Sequence, residues 1–186
     1  MIGLDLSLNS TGICVLEEGK NPKYFIIAGK MTKKMASFSH KQVSIIEYHK
    51  SQPDKNDEFV IREQKKTANI YNVVECIRKV VKKVKGDKQC VIEGISYGST
   101  GSAALADLAG LNYAVRCMLM SEGIAFVIVS PMQLKKFAVG NGGADKEVMV
   151  AAWKMCQPSL ADIDGIKIDD IADAYFLASC GSIQHL

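Results

Sequence analysis

The alternation of apolar and polar residues at the start of the chain predicts a β-hairpin. Apolar positions alternate with small or polar ones in the first strand, and turn-forming residues at 9–12 lead into a second apolar run at 13–16. A third antiparallel strand is predicted at 24–28, and 43–48 is a candidate for an extra strand. Asp5 interrupts the first strand near its middle, where a buried carboxylate needs a cation, a metal ion or backbone donors beside it.

The rest of the chain shows patterns that predict helices and short apolar strands. A long helix is predicted at 58–85, with an apolar stripe along its length. Strands are predicted at 89–93, which ends in Glu93, and at 124–129, which is apolar enough to be buried on both faces. Shorter helices are predicted at 103–121, 131–139, 144–155 and 168–180. This order predicts an α/β fold with a five-stranded mixed sheet, three antiparallel strands followed by two parallel ones, flanked by helices.

Composition agrees with one α/β domain over residues 1–186, because 48% of the residues are hydrophobic and can fill a sizeable core. The six cysteines are scattered without a CxxC pair, which argues against a zinc site and for thiols in a reducing compartment. The chain starts without a basic and then apolar leader, and no apolar run reaches the ~18 residues of a membrane span. A soluble, cytoplasmic protein is therefore expected.

Charge is divided unevenly along the chain. Residues 20–88 contain 17 Lys and Arg against 7 Asp and Glu, a net charge of +10, which leaves −7 for the remainder of a chain whose total is +3. A basic surface beside an acidic pocket suits a metal-dependent enzyme that acts on nucleic acid, since lysines attract phosphates while carboxylates hold cations. The alternative is an ordinary solvated, lysine-rich face.

Candidate metal ligands occur on three predicted elements. Asp170 and Asp173 are three residues apart on the last helix and share a face, and with Asp5 and Glu93 they would make a four-carboxylate cluster that holds two Mg²⁺ or Mn²⁺ ions. Each acid has a simpler explanation. Asp169 and Asp170 could cap the helix start, Glu93 could point to solvent at the strand end, and Asp5 could face an edge. Asp173 is harder to explain in this way, because it lies inside the helix beside apolar residues.

Four segments together resemble RuvC-type Holliday-junction resolvases of the RNase H-like nuclease superfamily. They are the first hairpin (GLDLSLNSTG, 3–12), the strand VIE at 91–93, the helix start DIADA at 170–174, and the stretch 130–140 followed by 143–146. The likeness covers nearly the whole chain. It implies an RNase H-like fold and a role in DNA recombination and repair.

The resemblance also implies roles for single residues. Asp5, Glu93, Asp170 and Asp173 match the family's metal-binding carboxylates, and Lys135 and Lys146 match two lysines that approach the scissile phosphate. The family wedges the junction with an aromatic residue just after the second acid. Tyr97 is the nearest equivalent, with an offset one residue longer.

The implied activity is that of a crossover junction endonuclease, which resolves four-way (Holliday) junctions by paired, Mg²⁺-dependent nicks. Two ions per site would leave 5′-phosphate and 3′-hydroxyl ends, and Mn²⁺ would substitute. The segment around 30–58 is longer than in bacterial members, an insertion that suits a phage or viral member and bears on substrate range.

A symmetric homodimer is expected, because a two-fold junction needs two nicks. The expected contact is the helix at 103–121, through its small residues and its leucines. These are Ala103, Ala106, Gly110 and Ala114 with Leu105, Leu108 and Leu119. The alternative is that the small residues only pack this helix onto its own sheet.

Other activities remain open at this point. The chain could cleave flaps or forks in place of four-way junctions, or bind branched nucleic acid without cutting it. The presence of all four acids disfavours the non-cleaving alternative. Actin-like sugar kinases also place an Asp before a glycine turn, but they need two such domains and about twice this length.

Overall fold

A six-stranded mixed sheet forms the centre of the protein in the computed structural model, which describes residues 1–95 and 102–183. The strands are β1 (Ile2–Asp5), β2 (Ser10–Val15), β3 (Lys23–Ala28), β4 (Val43–Glu47), β5 (Gln89–Glu93) and β6 (Ala125–Val129). The helices are α1 (Lys33–Ser37), α2 (Phe59–Lys83), α3 (Ser102–Ser121), α4 (Pro131–Val139), α5 (Lys146–Cys156) and α6 (Ile168–Ile183).

The strands lie in the order β4-β3-β2-β1-β5-β6. β1, β2 and β3 are antiparallel neighbours, and β5 and β6 continue the sheet parallel to β1. This arrangement confirms the predicted fold class. The predicted count of five strands was one too low, because the candidate strand at 43–48 forms β4 and pairs parallel to β3. β4 was hard to recognise because it is short and only Val43 is buried.

The first hairpin turns earlier than predicted. Ser10, Thr11 and Gly12 belong to β2 and pair with β3, so residues 6–9 form the connection. Asp5 therefore ends β1 and does not lie in its middle. Two polar residues can occupy a buried strand here because their hydroxyl groups have partners: Ser10 bonds to a carboxylate of α6, and Thr11 donates to the Ser7 carbonyl oxygen at 2.7 Å.

The last strand was wrongly predicted to be buried on both faces. β6 is an edge strand of which only Val129 is buried, and Ile128 is 40% exposed. A continuous apolar run does not distinguish a central strand from an edge strand that helices cover incompletely.

Two apolar layers enclose the sheet. α2 and α3 cover one face, where Ile2, Leu4 and Ile92 are completely buried. α4, α5 and α6 cover the other face, where Val91 and Trp153 are completely buried. Alternate residues of β1 and β5 therefore point to different helical layers. No helix in residues 1–95 and 102–183 has the length and apolar character needed to span a membrane.

Only the second half of α2 follows its predicted apolar stripe into the core. Val73, Val74, Ile77, Val80 and Val81 are buried. The first half is exposed, including Phe59 (69%) and Val60 (58%). α2 and α3 run side by side, with Lys66 near Asp107 and Arg78 bonded to Glu122.

Candidate active site

Two carboxylates end neighbouring parallel strands. Asp5 is the last residue of β1 and Glu93 is the last residue of β5. Gly3 pairs with Val91, and this register places Asp5 beside Glu93 at the same edge of the sheet. Gly3 contacts α6, and side chains alternate along a strand, so both carboxylates face the layer that contains α6.

α6 approaches this part of the sheet very closely. A Cβ atom on Gly12 would lie 2.1 Å from the carbonyl oxygen of Asp170, and one on Gly3 would lie 1.9 Å from another carbonyl oxygen of α6. Only glycine leaves room for such an approach. Because Gly12 pairs with Asp5, the first turn of α6 lies over the end of β1. Asp170 and Asp173, on one face of α6, are thereby brought to Asp5.

The four carboxyl groups act on one another electrostatically. Burial raises the pKa of Glu93 to about 7, and the charge of Asp173 adds to the increase. Burial likewise raises the pKa of Asp170 and the pKa of Asp173 to about 6. The pKa of Asp5 is raised well above its ordinary value by burial and then by the charges of Glu93, Asp173 and Asp170. Such a cluster is stabilised by positive charge placed among its members.

Ser10 fixes one of these carboxylates. Its side chain is buried, and its hydroxyl group donates a hydrogen bond to Oδ2 of Asp170. Burial raises the pKa of Asp170, and this hydrogen bond acts in the opposite direction. Ser10 was not predicted as a site residue, because it lies among the turn-forming residues at 9–12. The alternation along β2 could have found it, since Ser10 and Gly12 share the face of Asp5.

One of the two predicted lysines is held by an acid that the sequence analysis considered only as a helix cap. Lys146, the first residue of α5, donates to Oδ2 of Asp169 at 2.8 Å. This bond is the main cause of the raised pKa of Lys146. Burial acts to raise the pKa of Asp169, but the hydrogen bond and charge of Lys146, a backbone hydrogen bond and the charge of Lys167 together lower it. The charge of Lys146 acts to lower the pKa of all four clustered carboxyl groups.

The other predicted lysine, Lys135, reaches the cluster from α4. A capping box between Ser130 and Gln133 fixes the start of this helix, with Pro131 in its first turn. The charge of Lys135 acts to lower the pKa of Glu93 and that of Asp173. The structure thus brings both lysines and all four acids to one end of the sheet.

A second supporting residue that the sequence analysis missed is Asn112 on α3. It is 2% exposed, and its side-chain amide donates to the main-chain carbonyl oxygen of Glu93 at 3.0 Å. Asn112 therefore anchors the end of β5. Tyr97, the predicted junction wedge, lies outside the residues that the structure describes.

The donor set has the chemistry of a site for a hard divalent cation. Its ligands are carboxylate oxygens, which Mg²⁺ and Mn²⁺ prefer, and burial is the main cause of their raised pKa. In residues 1–95 and 102–183, however, no three His, Cys, Asp or Glu side chains are arranged so that they could hold one ion together. The donor chemistry fits a metal, and binding would require the carboxylate side chains to turn toward it.

Comparison with known proteins assigns a family to most of the chain. The model of the family described as Crossover junction endodeoxyribonuclease RuvC matches residues 43–181. The matched range contains Glu93, Asp170 and Asp173 together with both lysines, and it begins after Asp5. A search of curated proteins found no match.

Solved structures with a similar fold include two of the same bacterial protein and one of a yeast protein. The Thermus thermophilus RuvC structure is 15% identical, with a TM-score of 0.51, over 98% of this chain and 93% of that chain. T. thermophilus RuvC in complex with a Holliday junction substrate is 13% identical, with a TM-score of 0.54, over 97% and 91% of the two chains. The yeast mitochondrial Holliday junction resolvase is 12% identical, with a TM-score of 0.52, over 96% and 75%. At these identities the likeness shows the fold alone.

Proposed function

The chain belongs to the RuvC family, and we propose that it is a DNA endonuclease that resolves four-way junctions by metal-dependent hydrolysis of a phosphodiester bond in each of two strands. The observation that carries this proposal is the meeting of Asp5, Glu93, Asp170 and Asp173 at one end of the sheet, where burial, together with neighbouring carboxylates, raises their pKa. Residues 1–186 would act as a single nuclease domain.

The four carboxylates are proposed to hold two Mg²⁺ ions, for which Mn²⁺ would substitute. When bound, such ions activate water and stabilise the leaving oxygen, so that the products carry 5′-phosphate and 3′-hydroxyl ends. Ser10 would keep Asp170 turned toward the cluster through its hydrogen bond. Asn112 would keep the end of β5, and with it Glu93, in place.

The two lysines are proposed to lie beside the phosphate that is cut. Lys146 is held by its hydrogen bond to Asp169. Lys135 lies on α4, whose N-terminus is fixed by the capping box between Ser130 and Gln133. Positive charge held in this way stabilises negative charge that develops on phosphate oxygens, without reorganisation during the reaction. Tyr97 remains the candidate wedge at the branch point.

A homodimer would supply the second active site. The exposed face of α3 contains Ala103 and Ala106 and continues through Tyr113 and Met120, which are 54% and 70% exposed. These four residues are uncharged, and the guanidinium group of Arg116 lies over the Tyr113 ring, 4.7 Å from its centroid. Aromatic residues, Met and Arg are enriched in contacts between proteins. One of the predicted contact residues does not fit, because Leu119 is completely buried in its own core, whereas Gly110 is exposed.

Cleavage of synthetic branched DNA tests the proposed function. The protein is incubated in Mg²⁺, Mn²⁺ or EDTA with four DNA substrates of shared sequence: a four-way junction, a linear duplex, a flap and a fork. We expect symmetric nicks in the four-way junction with either metal, none in EDTA, and none with Asp5→Asn, Glu93→Gln, Asp170→Asn or Asp173→Asn. Preferred cutting of the flap or fork would assign the alternative nuclease activity, and binding without cutting would refute catalysis.

A further inference from the structure

A cavity lies beside the carboxylate cluster, on the opposite face of the sheet. Its volume is about 470 Å³, within the range of about 300–1,000 Å³ typical of small-molecule sites. Leu6 and Ser7, which directly follow Asp5, line it, and α2 and α3 form its far wall. Two residues of extended chain span about 7 Å, so the cavity opens close to the carboxylates.

The lining of the cavity combines apolar and polar side chains. Leu6, Leu8 and Leu108 provide apolar surface, while the side chains of Asn9 and Gln52 supply hydrogen-bond donors and acceptors. A heteroaromatic ring with a polar edge is the ligand that such a combination fits.

Two lysines add positive charge to the cavity. Lys66 forms salt bridges with Glu63 at 3.0 Å and with Asp107 at 3.6 Å, so its charge is largely balanced. Lys50 bonds only to the neutral side chain of Asn9 among the described residues, and its charge is available to an anion. A ring attached to a phosphate, that is, a nucleotide, satisfies both the walls and this charge.

The segment of the insertion that closes the cavity is tied in place. The hydroxyl group of Tyr48 donates to the carbonyl oxygen of Leu8 at 2.5 Å. The buried side chain of Asn69 accepts from the Ser51 backbone N–H at 2.8 Å and donates to its carbonyl oxygen at 2.9 Å. The cavity is therefore preformed, which reduces the ordering that a ligand must impose.

We infer that this cavity receives one unstacked nucleotide from the branch point of the DNA, with its base between Leu6, Leu8 and Leu108 and its phosphate at Lys50. The inference rests on the proposed function and gives a role to the segment 48–53. A base in continuous duplex cannot enter without leaving its stack, whereas a base at a branch is easily displaced. The cavity would thus favour branched over linear DNA and set where the cut falls.

The probe for this site is a four-way junction with 2-aminopurine at single positions near the branch, because 2-aminopurine fluoresces more strongly when it is unstacked. The protein is added in EDTA, so no cleavage occurs. We expect a several-fold rise in fluorescence at one position within a few nucleotides of the branch. Ala104→Phe, which fills the cavity from α3, should abolish the rise. Ala68→Phe, an exposed alanine on α2 outside the cavity, should leave it unchanged.

A second variant tests the phosphate contact without altering the core. Lys50→Met should reduce the slope of log affinity against log salt concentration by about 0.9, the effect of one lost phosphate contact. Lys85→Met, beyond the other end of α2, should leave the slope unchanged.

The inference is overturned if 2-aminopurine fluorescence rises at no position, or if it rises with Ala104→Phe as much as with the wild type. It is also overturned if Lys50→Met and Lys85→Met have the same slope of log affinity against log salt concentration. It is also overturned if Ala104→Phe changes the molar mass and not the fluorescence, because the cavity then serves a contact between copies. Since fluorescence is read without cleavage, a protein that brightens the probe but cuts no DNA refutes only the proposed function.

Discussion

Burial is the largest cause of the raised pKa of Asp5, Glu93, Asp170 and Asp173. A buried carboxylate without a cation destabilises a fold. The hydrogen bond from Ser10 and the charges of the two lysines offset part of this effect. These groups neutralise the cluster only in part, so a bound cation should stabilise it further. Two expectations follow, one for the dependence of stability on pH and one for the effect of Mg²⁺.

Stability without metal should fall as pH rises. The pKa of Glu93 is about 7 in the folded protein against an ordinary 4.5, so between these values the folded state binds more protons than the unfolded state. Unfolding then becomes easier as pH rises, and the full effect is present above about pH 7. In EDTA, the melting temperature should be higher at pH 5.5 than at pH 8. Glu93→Gln should gain on the order of 3 kcal/mol at pH 8.

Metal should reverse this trend, because Mg²⁺ binds the ionised carboxylates of the folded state. The melting temperature at pH 8 should rise with Mg²⁺ in the wild type and much less in Glu93→Gln. A melting temperature that does not change from pH 5.5 to pH 8 would show that the pKa values of the carboxyl groups are not raised in the folded protein.

The lysines should contribute to rate more than to binding. Lys146→Ala and Lys135→Ala should each slow junction cleavage by about 100-fold, the usual effect of removing one group that stabilises developing charge, with little loss of affinity. Lys154→Ala, at the other end of α5, is the matched control and should cleave normally. Single-turnover rates and binding measured in EDTA separate the two effects. An equal loss of rate and affinity would show that the lysines serve to bind DNA and not to speed its cleavage.

At the scale of elements, two glycines set the distance between α6 and the sheet. Gly12→Ala would place a methyl group against the backbone of Asp170, where no flexible side chain can move away. We expect a loss of about 1–3 kcal/mol in the free energy of unfolding, together with loss of cleavage as α6 is displaced. Gly143→Ala is the control, since its Cβ would only make an ordinary contact of 3.5 Å with Asn141. Urea unfolding compares the two, and equal midpoints would contradict the close packing.

The elements were largely predictable from the sequence, and their contacts were predictable only in part. α4 begins and ends as its Ser130-Pro131 start and following Gly140 predict, and β5 ends at Glu93 as its pattern predicts. The edge position of β6 and the exposed first half of α2 depend on what other elements cover, which local periodicity does not encode. Ser10 and Asn112 were missed because their roles depend on partners 160 and 19 residues away.

For the whole molecule, the expected dimer depends on the exposed face of α3 that contains Ala103, Ala106, Tyr113 and Met120. Ala106→Arg would bury an unpaired charge in the contact and should convert the dimer to a monomer. Ala36→Arg, on the exposed side of α1, should remain dimeric. Light scattering at micromolar concentration gives the molar mass of each. A wild-type monomer that still makes paired nicks would remove the need for this contact.

The central claim is that two copies of this carboxylate cluster cut a four-way junction in concert. Its most direct test is a supercoiled plasmid that extrudes a cruciform, treated with the protein and Mg²⁺. Paired nicks across the cruciform give linear plasmid, while a single nick gives an open circle. We expect linear product from the wild type and uncut plasmid from Asp173→Asn. Open circles as the only product, or equal cutting of a plasmid without the inverted repeat, would contradict it.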